Sequence, residues 1–163
     1  MSVPEGKRSK GKLAIETDVM RLLDYIFNIT AKYYRPFVPV EGEDNIDAQS
    51  EYEQAKWFAE KMRNEVSACI CHVQEANRIR IIDEQTLSDR RNQQGFAERS
   101  LENLLSSATV MYKKKKLKSK KLKKIAEDVL ELKQKIQNWR KSDNSRYKAD
   151  CFAQSQVQEL QEK

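Results

Sequence analysis

Apolar residues recur three and four positions apart along most of the chain, which is the spacing of one face of an α-helix. The pattern predicts four amphipathic helices, at about residues 13–34, 47–82, 87–112 and from 122 to a polar stretch at 142–145. These elements indicate an all-α protein. In chain order, their apolar stripes are Ile15, Val19, Leu22, Ile26, Ile29 and Tyr33; Tyr52, Ala55, Ala59, Met62, Val66, Cys69, Val73 and Ala76; Ala97, Leu101, Leu104, Ala108 and Met111; and Leu122, Ile125, Val129, Leu132, Ile136 and Trp139.

Local signals divide the chain into three parts. Pro36 and Pro39 end the first helix, because the residue before a proline is pushed out of the α-helical conformation. Residues 41–47 form an acidic linker, and Thr86 or Ser88 is a candidate cap for the third helix. The predicted organisation is a basic N-terminal arm at 1–12, a four-helix bundle at 13–148 and a polar tail at 149–163 that is either frayed or a short extra helix.

Composition favours a helical bundle over a β-rich fold. With four glycines and three prolines among 163 residues, the chain lacks the frequent turn signals of a β-sandwich or barrel. Three of the helices have a spacing close to the heptad, which predicts an antiparallel four-helix bundle of the left-handed kind, with crossing angles of about 20°. The stripes are wide for a bundle interior alone, so some apolar surface is available to face another subunit.

The cysteines indicate a reducing compartment. There are three, an odd number, and Cys69 and Cys71 are too close along one helix for an ordinary disulfide. No apolar run approaches the ~18 residues of a membrane span, and residues 2–12 are polar and basic, unlike a signal peptide. The sequence therefore predicts a cytoplasmic protein without a membrane partner.

Charge is concentrated in one part of the chain. The total is +6, but residues 113–148 contain fifteen Lys and Arg against four Asp and Glu, a net of +11 that leaves −5 elsewhere. A local cationic surface on an otherwise acidic protein points to one polyanion-binding region.

The densest part of this region spans the third loop and the first turns of the fourth helix. Cations at a helix N-terminus and like charges one turn apart both cost stability, so an anionic partner is the simplest reason for them. Lysines contacting phosphates give affinity without sequence specificity. The alternative is a solvated loop that only improves solubility. The candidate nucleic-acid-binding residues are Lys113, Lys114, Lys115, Lys116, Lys118, Lys120, Lys121, Lys123 and Lys124.

A second basic group follows the fourth apolar stripe, with Arg140, Lys141, Arg146 and Lys148 as further candidates for nucleic-acid binding. An aromatic residue among them can stack on unpaired bases. Trp139 continues the apolar stripe, so a core position is favoured for it, which leaves the residue at 147, a tyrosine, as the better stacking candidate.

Catalytic constellations are missing from the sequence. Cys69 and His72 share a helix face but have no second Cys/His pair to complete a metal site. A single histidine excludes a histidine metal cluster, and there is no Gly-rich phosphate loop. We expect no enzyme activity, no metal and no cofactor.

Three stretches of the sequence resemble a known family. They are residues 1–13 (MSVPEGKRSKGKL), Glu75-Ala76-Asn77, and residues 139–147 (WRKSDNSRY). Each is similar to the corresponding part of the accessory variability determinant proteins, which are encoded beside reverse transcriptases in diversity-generating retroelements. In layout the likeness covers about residues 1–148.

The resemblance implies a non-catalytic accessory factor of bacterial or phage origin. Such proteins are four-helix bundles similar to ribosomal-RNA intervening-sequence proteins, assemble as pentameric rings, bind RNA and DNA, and associate with the reverse transcriptase that makes mutagenised cDNA. By that analogy, the two basic groups would contact RNA or the polymerase. The chain departs from the family in its acidic linker, its dense lysine run and its tail. A purely structural oligomeric adaptor is the alternative function.

Overall fold

The computed structural model describes the backbone of residues 3–42 and 45–162 and the side chains of residues 14–42 and 45–161. The protein is all-helical, with 88% of its residues in helix and no strand in the described ranges. Four helices pack against one another, as predicted, and the apolar faces meet in one core. They are α1 (Val3–Thr30), α2 (Asn45–Arg78), α3 (Glu84–Lys113) and α4 (Ser119–Glu162), and a 3₁₀-helix (Ala31–Tyr34) follows α1.

The core consists of the predicted stripes. Every stripe residue of α3 is buried, as are those of α2 from Ala55 to Ala76, because each stripe keeps one helix face towards its neighbours. Four positions at or next to the ends of stripes, Ile29, Tyr52, Leu122 and Trp139, are partly buried and pack against the core. Trp139 therefore has the core position that the sequence favoured.

Helix α1 is longer than predicted at its start and ends at Thr30, after which the 3₁₀-helix continues to Tyr34, the predicted end. It begins at Val3, within the segment predicted as an arm, and the side chains of the basic residues in 1–12 lie outside the described residues. At the other end, Arg35 has φ −88° and ψ 151°, the extended conformation expected before Pro36. Two positions of the acidic linker, 43 and 44, lie outside the described residues.

The connection between α2 and α3 differs from the prediction. Helix α2 ends at Arg78, short of position 82, and α3 begins at Glu84. Its cap is Asp83, in place of the predicted Thr86 or Ser88. Asp83 Oδ1 accepts a hydrogen bond from Thr86 N at 2.8 Å, and Thr86 Oγ1 accepts one from Asp83 N at 3.0 Å, which together form a reciprocal capping box.

Helix α4 does not end at the polar stretch 142–145. It continues to Glu162 through the segment predicted as a polar tail, and all of that tail's described side chains are exposed. None of the helices in the described part of the chain is long and apolar enough to cross a membrane.

Candidate nucleic-acid interface

A tight turn at residues 114–118 joins α3 to α4 and carries four of the nine lysines in the predicted run. Lys116 N donates to Met111 O at 2.8 Å and Lys115 N donates to Tyr112 O at 2.9 Å. These two bonds form a Schellman motif, in which the residue after the helix cap has a left-handed conformation. That residue is Lys115, with φ 61°, at a position where glycine is usual.

The turn is anchored to the rest of the fold. Leu117 is buried in the core, and the Tyr33 hydroxyl donates to Lys116 O at 3.0 Å. Burial raises the pKa of Tyr33 further above its usual value of about 10. The lysines of the turn are therefore displayed on a fixed backbone.

An open cleft of about 710 Å³ lies at this turn, and we call it the lysine cleft. Six lysines line it and no carboxylate does: Lys32, Lys113, Lys115, Lys116, Lys118 and Lys121. The other lining residues are Ile29, Tyr112, Leu117 and Ser119. Five of the nine lysines predicted in the run thus converge on one concave surface, joined by Lys32 from the end of α1.

Three of the nine lysines have partners on neighbouring helices or one turn along α4. Lys114 Nζ lies 3.2 Å from Gln54 Oε1, Lys116 Nζ lies 3.4 Å from Glu51 Oε2, and Lys124 Nζ lies 3.1 Å from Asp128 Oδ2. Such exposed contacts are worth at most about 1 kcal/mol, so an anion can replace them. The other six have no ion pair with any described side chain. Lys120 and Lys123 are among them and lie outside the lysine cleft, exposed on α4.

The second predicted group lies far from the first. Lys121 and Arg146 are 25 positions apart on the same helix, or about 38 Å along its axis at a rise of 1.5 Å per residue. Arg140 is partly buried and paired with Glu98, so its charge is neutralised within the fold. Lys141, Arg146 and Lys148 are exposed. The candidates therefore form two separate surfaces.

Two arginines that the sequence analysis did not select lie beside Arg146. A smaller cleft of about 250 Å³ brings Arg78 and Arg80, from the end of α2 and the residues after it, to Arg146 and Tyr147 of α4. Arg78 pairs with Glu75 at 3.5 Å. A hydrogen bond with Cys151 is the main cause of a raised Tyr147 pKa. No periodicity in the sequence could have placed residues 78 and 146 together.

The floor of this smaller cleft is a buried polar network. Arg90 donates from Nε to Asp143 Oδ2 at 2.8 Å and from Nη2 to Asp143 Oδ1 at 3.0 Å. Gln94 Nε2 donates to the same Asp143 Oδ2 at 2.8 Å, and Arg90 also donates to the Ile79 carbonyl at 3.2 Å. The Arg90 guanidinium lies 5.1 Å from the centre of the Trp139 ring. The network joins α3 to α4 and holds this end of the fold together.

The Cys/His region has no metal-binding geometry. His72 Nδ1 is hydrogen-bonded to Gln93 Oε1 at 2.9 Å, and its ring lies 5.4 Å from that of Phe96. Cys69 is buried in the core, where desolvation raises its pKa to about 12, and Cys71 is exposed. Within the described ranges, no three His, Cys, Asp or Glu side chains are grouped so that they could hold a metal ion.

Comparison with known proteins gives no relative: neither a family model, nor a curated protein, nor a solved structure matches the chain. Two of the three stretches that carry the family resemblance nevertheless meet in space. Asn77 lines the same small cleft as Asp143, Arg146 and Tyr147. Its Nδ2 also donates to Glu16 Oε1 at 2.7 Å, which connects α2 to α1.

Proposed function

We propose that this chain is a non-catalytic accessory protein that binds template RNA and the reverse transcriptase of a diversity-generating retroelement, and so supports mutagenic cDNA synthesis. The observation that carries the nucleic-acid part is the lysine cleft, with six cationic side chains and no carboxylate in its lining. The retroelement part rests on the resemblance of residues 1–13, 75–77 and 139–147.

The backbone of the turn supports a binding role for its lysines. A non-glycine residue in the left-handed conformation costs about 1–2 kcal/mol, and Lys115 is held there by two hydrogen bonds. Glycine would relieve that cost, but it would remove one cation from the cleft. Strain of this kind is typical of functional sites. Phosphates bound across the cleft would offset both the strain and the repulsion among the lysines.

The proposal includes an antiparallel arrangement of the four helices and the assembly of five such subunits into a ring. The assembly would act in the cytoplasm of a bacterium, including one infected by a phage. Large apolar side chains remain exposed on all four helices and are available for subunit or polymerase contacts. Their exposed fractions are 46% for Met20, 43% for Phe27, 56% for Trp57 and 66% for Leu130. The alternative function is that of a structural adaptor. In that case the protein would act only through these subunit and partner contacts, and the lysines would only keep the assembly soluble.

Salt dependence of RNA binding tests the lysine cleft. If the six lysines each contact a phosphate, the logarithm of affinity should fall with the logarithm of salt at a slope of about −5. Between 50 and 200 mM salt that is a loss of about 10³-fold. DNA should bind the same cleft, because phosphate contacts carry no sequence information.

Two double variants that each remove two positive charges test whether RNA binding depends on the lysine cleft or on the overall positive charge of the protein. We expect Lys118→Gln with Lys121→Gln to reduce the salt slope by about 2. The control is Lys56→Gln with Lys61→Gln on α2, where the ammonium groups lie over the rings of Tyr34 and Trp57 and outside the cleft. Both should keep the helical signal in circular dichroism. Equal slopes in the two variants, or no RNA binding in dilute buffer, would leave only the adaptor function.

The retroelement assignment has its own test. We expect a reverse transcriptase gene beside the gene for this chain, with paired variable and template repeats. We also expect the purified polymerase to bind the protein in a pull-down. A genomic neighbourhood without a reverse transcriptase would refute this assignment and leave RNA binding by the cleft intact.

A further inference from the structure

The last part of α4 has no packing partner within the subunit. Every side chain from Ala149 to Gln161 is exposed, thirteen residues in succession. They include large apolar residues, with exposed fractions of 65% for Phe152, 52% for Val157 and 71% for Leu160. We call this segment the α4 extension.

The extension is amphipathic. At 100° per residue, its apolar residues all fall within an arc of about 140° around the helix axis. They are Ala149, Phe152, Ala153, Val157 and Leu160. The opposite arc carries polar residues, including Gln154, Ser155 and Gln158. A face of this kind is typical of a helix that buries one side against another helix.

The exposure of these side chains favours a partner for this face. Most helical stability in proteins comes from packing of the apolar side. Phe152, Val157 and Leu160 lie on this helix face and are each more than half exposed, so they provide no such packing.

Polyanions and membranes fit this face poorly. Residues 149–161 contain no Lys or Arg, while Asp150 and Glu159 give them a charge of −2. Nucleic acid and anionic lipid would both be repelled. The start of α1 is no better suited, since residues 3–12 include only Val3 and Pro4 as apolar residues apart from glycine.

We propose that the α4 extension pairs in antiparallel orientation with the α4 extension of a second copy of this chain. Lys148 and Glu159 lie eleven positions apart, so they project from the same flank of the helix, about 20° from each other. A two-fold axis across an antiparallel pair brings Lys148 of each copy opposite Glu159 of the other, giving two ion pairs. In a parallel pair the flank that carries Lys148 and Glu159 would face the opposite flank of the other copy, so these two ion pairs would not form.

Side-chain size agrees with the same orientation. With the axis near residue 154, the Lys148–Glu159 pairs and the pairs of small Ala149 with large Leu160 are each offset by about one residue, or about 1.5 Å along the helix. The contact is independent of the lysine cleft, which lies at the other end of α4. It would link subunits or whole assemblies end to end.

Cross-linking between differently marked copies tests both the contact and its direction. In a background with Cys71→Ser and Cys151→Ser, which removes the exposed thiols, one sample carries Ala149→Cys and the other carries Leu160→Cys. The two full-length proteins are mixed and treated with a short bis-maleimide. We expect cross-links between the two species and few within either one. Adding Glu159→Lys should reduce the yield several-fold, and Lys148→Glu in the same chain should restore it.

The matched control places the cysteines on the polar face. Gln154→Cys mixed with Gln158→Cys should give no more product than two non-interacting thiols, because both side chains point away from the proposed contact. Cross-links only within each species at 149 and at 160 would indicate a parallel pair and overturn the proposal. So would a yield equal to that of the polar-face control, or a monomer in sedimentation equilibrium.

Discussion

Replacing Asp143 with alanine leaves the Arg90 guanidinium in the interior without its counter-ion. The side chains of Arg90 and Asp143 are 10% and 7% exposed, and two hydrogen bonds of 2.8 and 3.0 Å join them. Gln94 also loses its 2.8 Å bond to Asp143. Breaking a buried ion pair by removing one partner costs about 3–5 kcal/mol, a large part of the roughly 5–15 kcal/mol that stabilises a typical domain.

Thermal and urea unfolding measure this effect. For a chain of this length, each kcal/mol shifts Tm by about 2–4 °C, so we expect Asp143→Ala to lower Tm by about 6–20 °C. The control is Glu102→Ala, which removes the 2.8 Å contact with Lys133. Glu102 is 57% exposed, and breaking a surface pair should cost at most about 1 kcal/mol.

A double variant separates the buried charge from simple loss of packing. Arg90→Met with Asp143→Leu replaces the pair by apolar side chains and leaves no charge behind. We expect it to recover most of the stability lost in Asp143→Ala. The reasoning is refuted if Asp143→Ala costs no more than Glu102→Ala, or if the double variant is no more stable than Asp143→Ala.

Three further expectations concern other parts of the fold. Lys115→Gly should raise stability by about 1 kcal/mol in urea unfolding, because glycine adopts the left-handed conformation freely, and lower stability would contradict the assigned strain. Hydrogen bonds at the start of α3, chiefly from Thr86, hold the pKa of Asp83 in the folded protein below its usual value of 3.8. The stability that these bonds provide is therefore complete above pH 3.8. It is lost as the pH falls through the folded-state pKa. The difference in Tm between the native protein and Asp83→Asn should therefore change below about pH 3.8 and stay constant above it. Native protein should react with a thiol reagent at Cys71 and Cys151 and, until unfolded, not at Cys69, whose pKa burial raises to about 12.

The helical class and the core could be predicted from the sequence because helix periodicity is local. A residue such as Met62 or Leu104 belongs to the core through its spacing from its own neighbours, and no other helix need be known. The lysine run could also be identified from the sequence, because the density of charge along the chain does not depend on folding. Lys32 was missed because only the fold brings the end of α1 to the lysine turn.

The polar positions show the limit of local patterns. Asp143 lies in a run of hydrophilic residues that predicts a helix end, and Arg90 and Gln94 lie in a part of α3 with a weak apolar face. In the structure all three are buried, because each provides the charge or hydrogen bond that the others need. Helix α4 continues past these hydrophilic residues to Glu162.

Sequence alone thus determined the helical class, the residues of the apolar core and the location of positive charge, since spacing and composition are properties of neighbouring residues. The tertiary structure decided which polar groups are buried, which lysines share a cleft and how far α4 extends. These depend on partners distant in the chain, such as Asp143 for Arg90, and no periodicity encodes a partner 53 positions away.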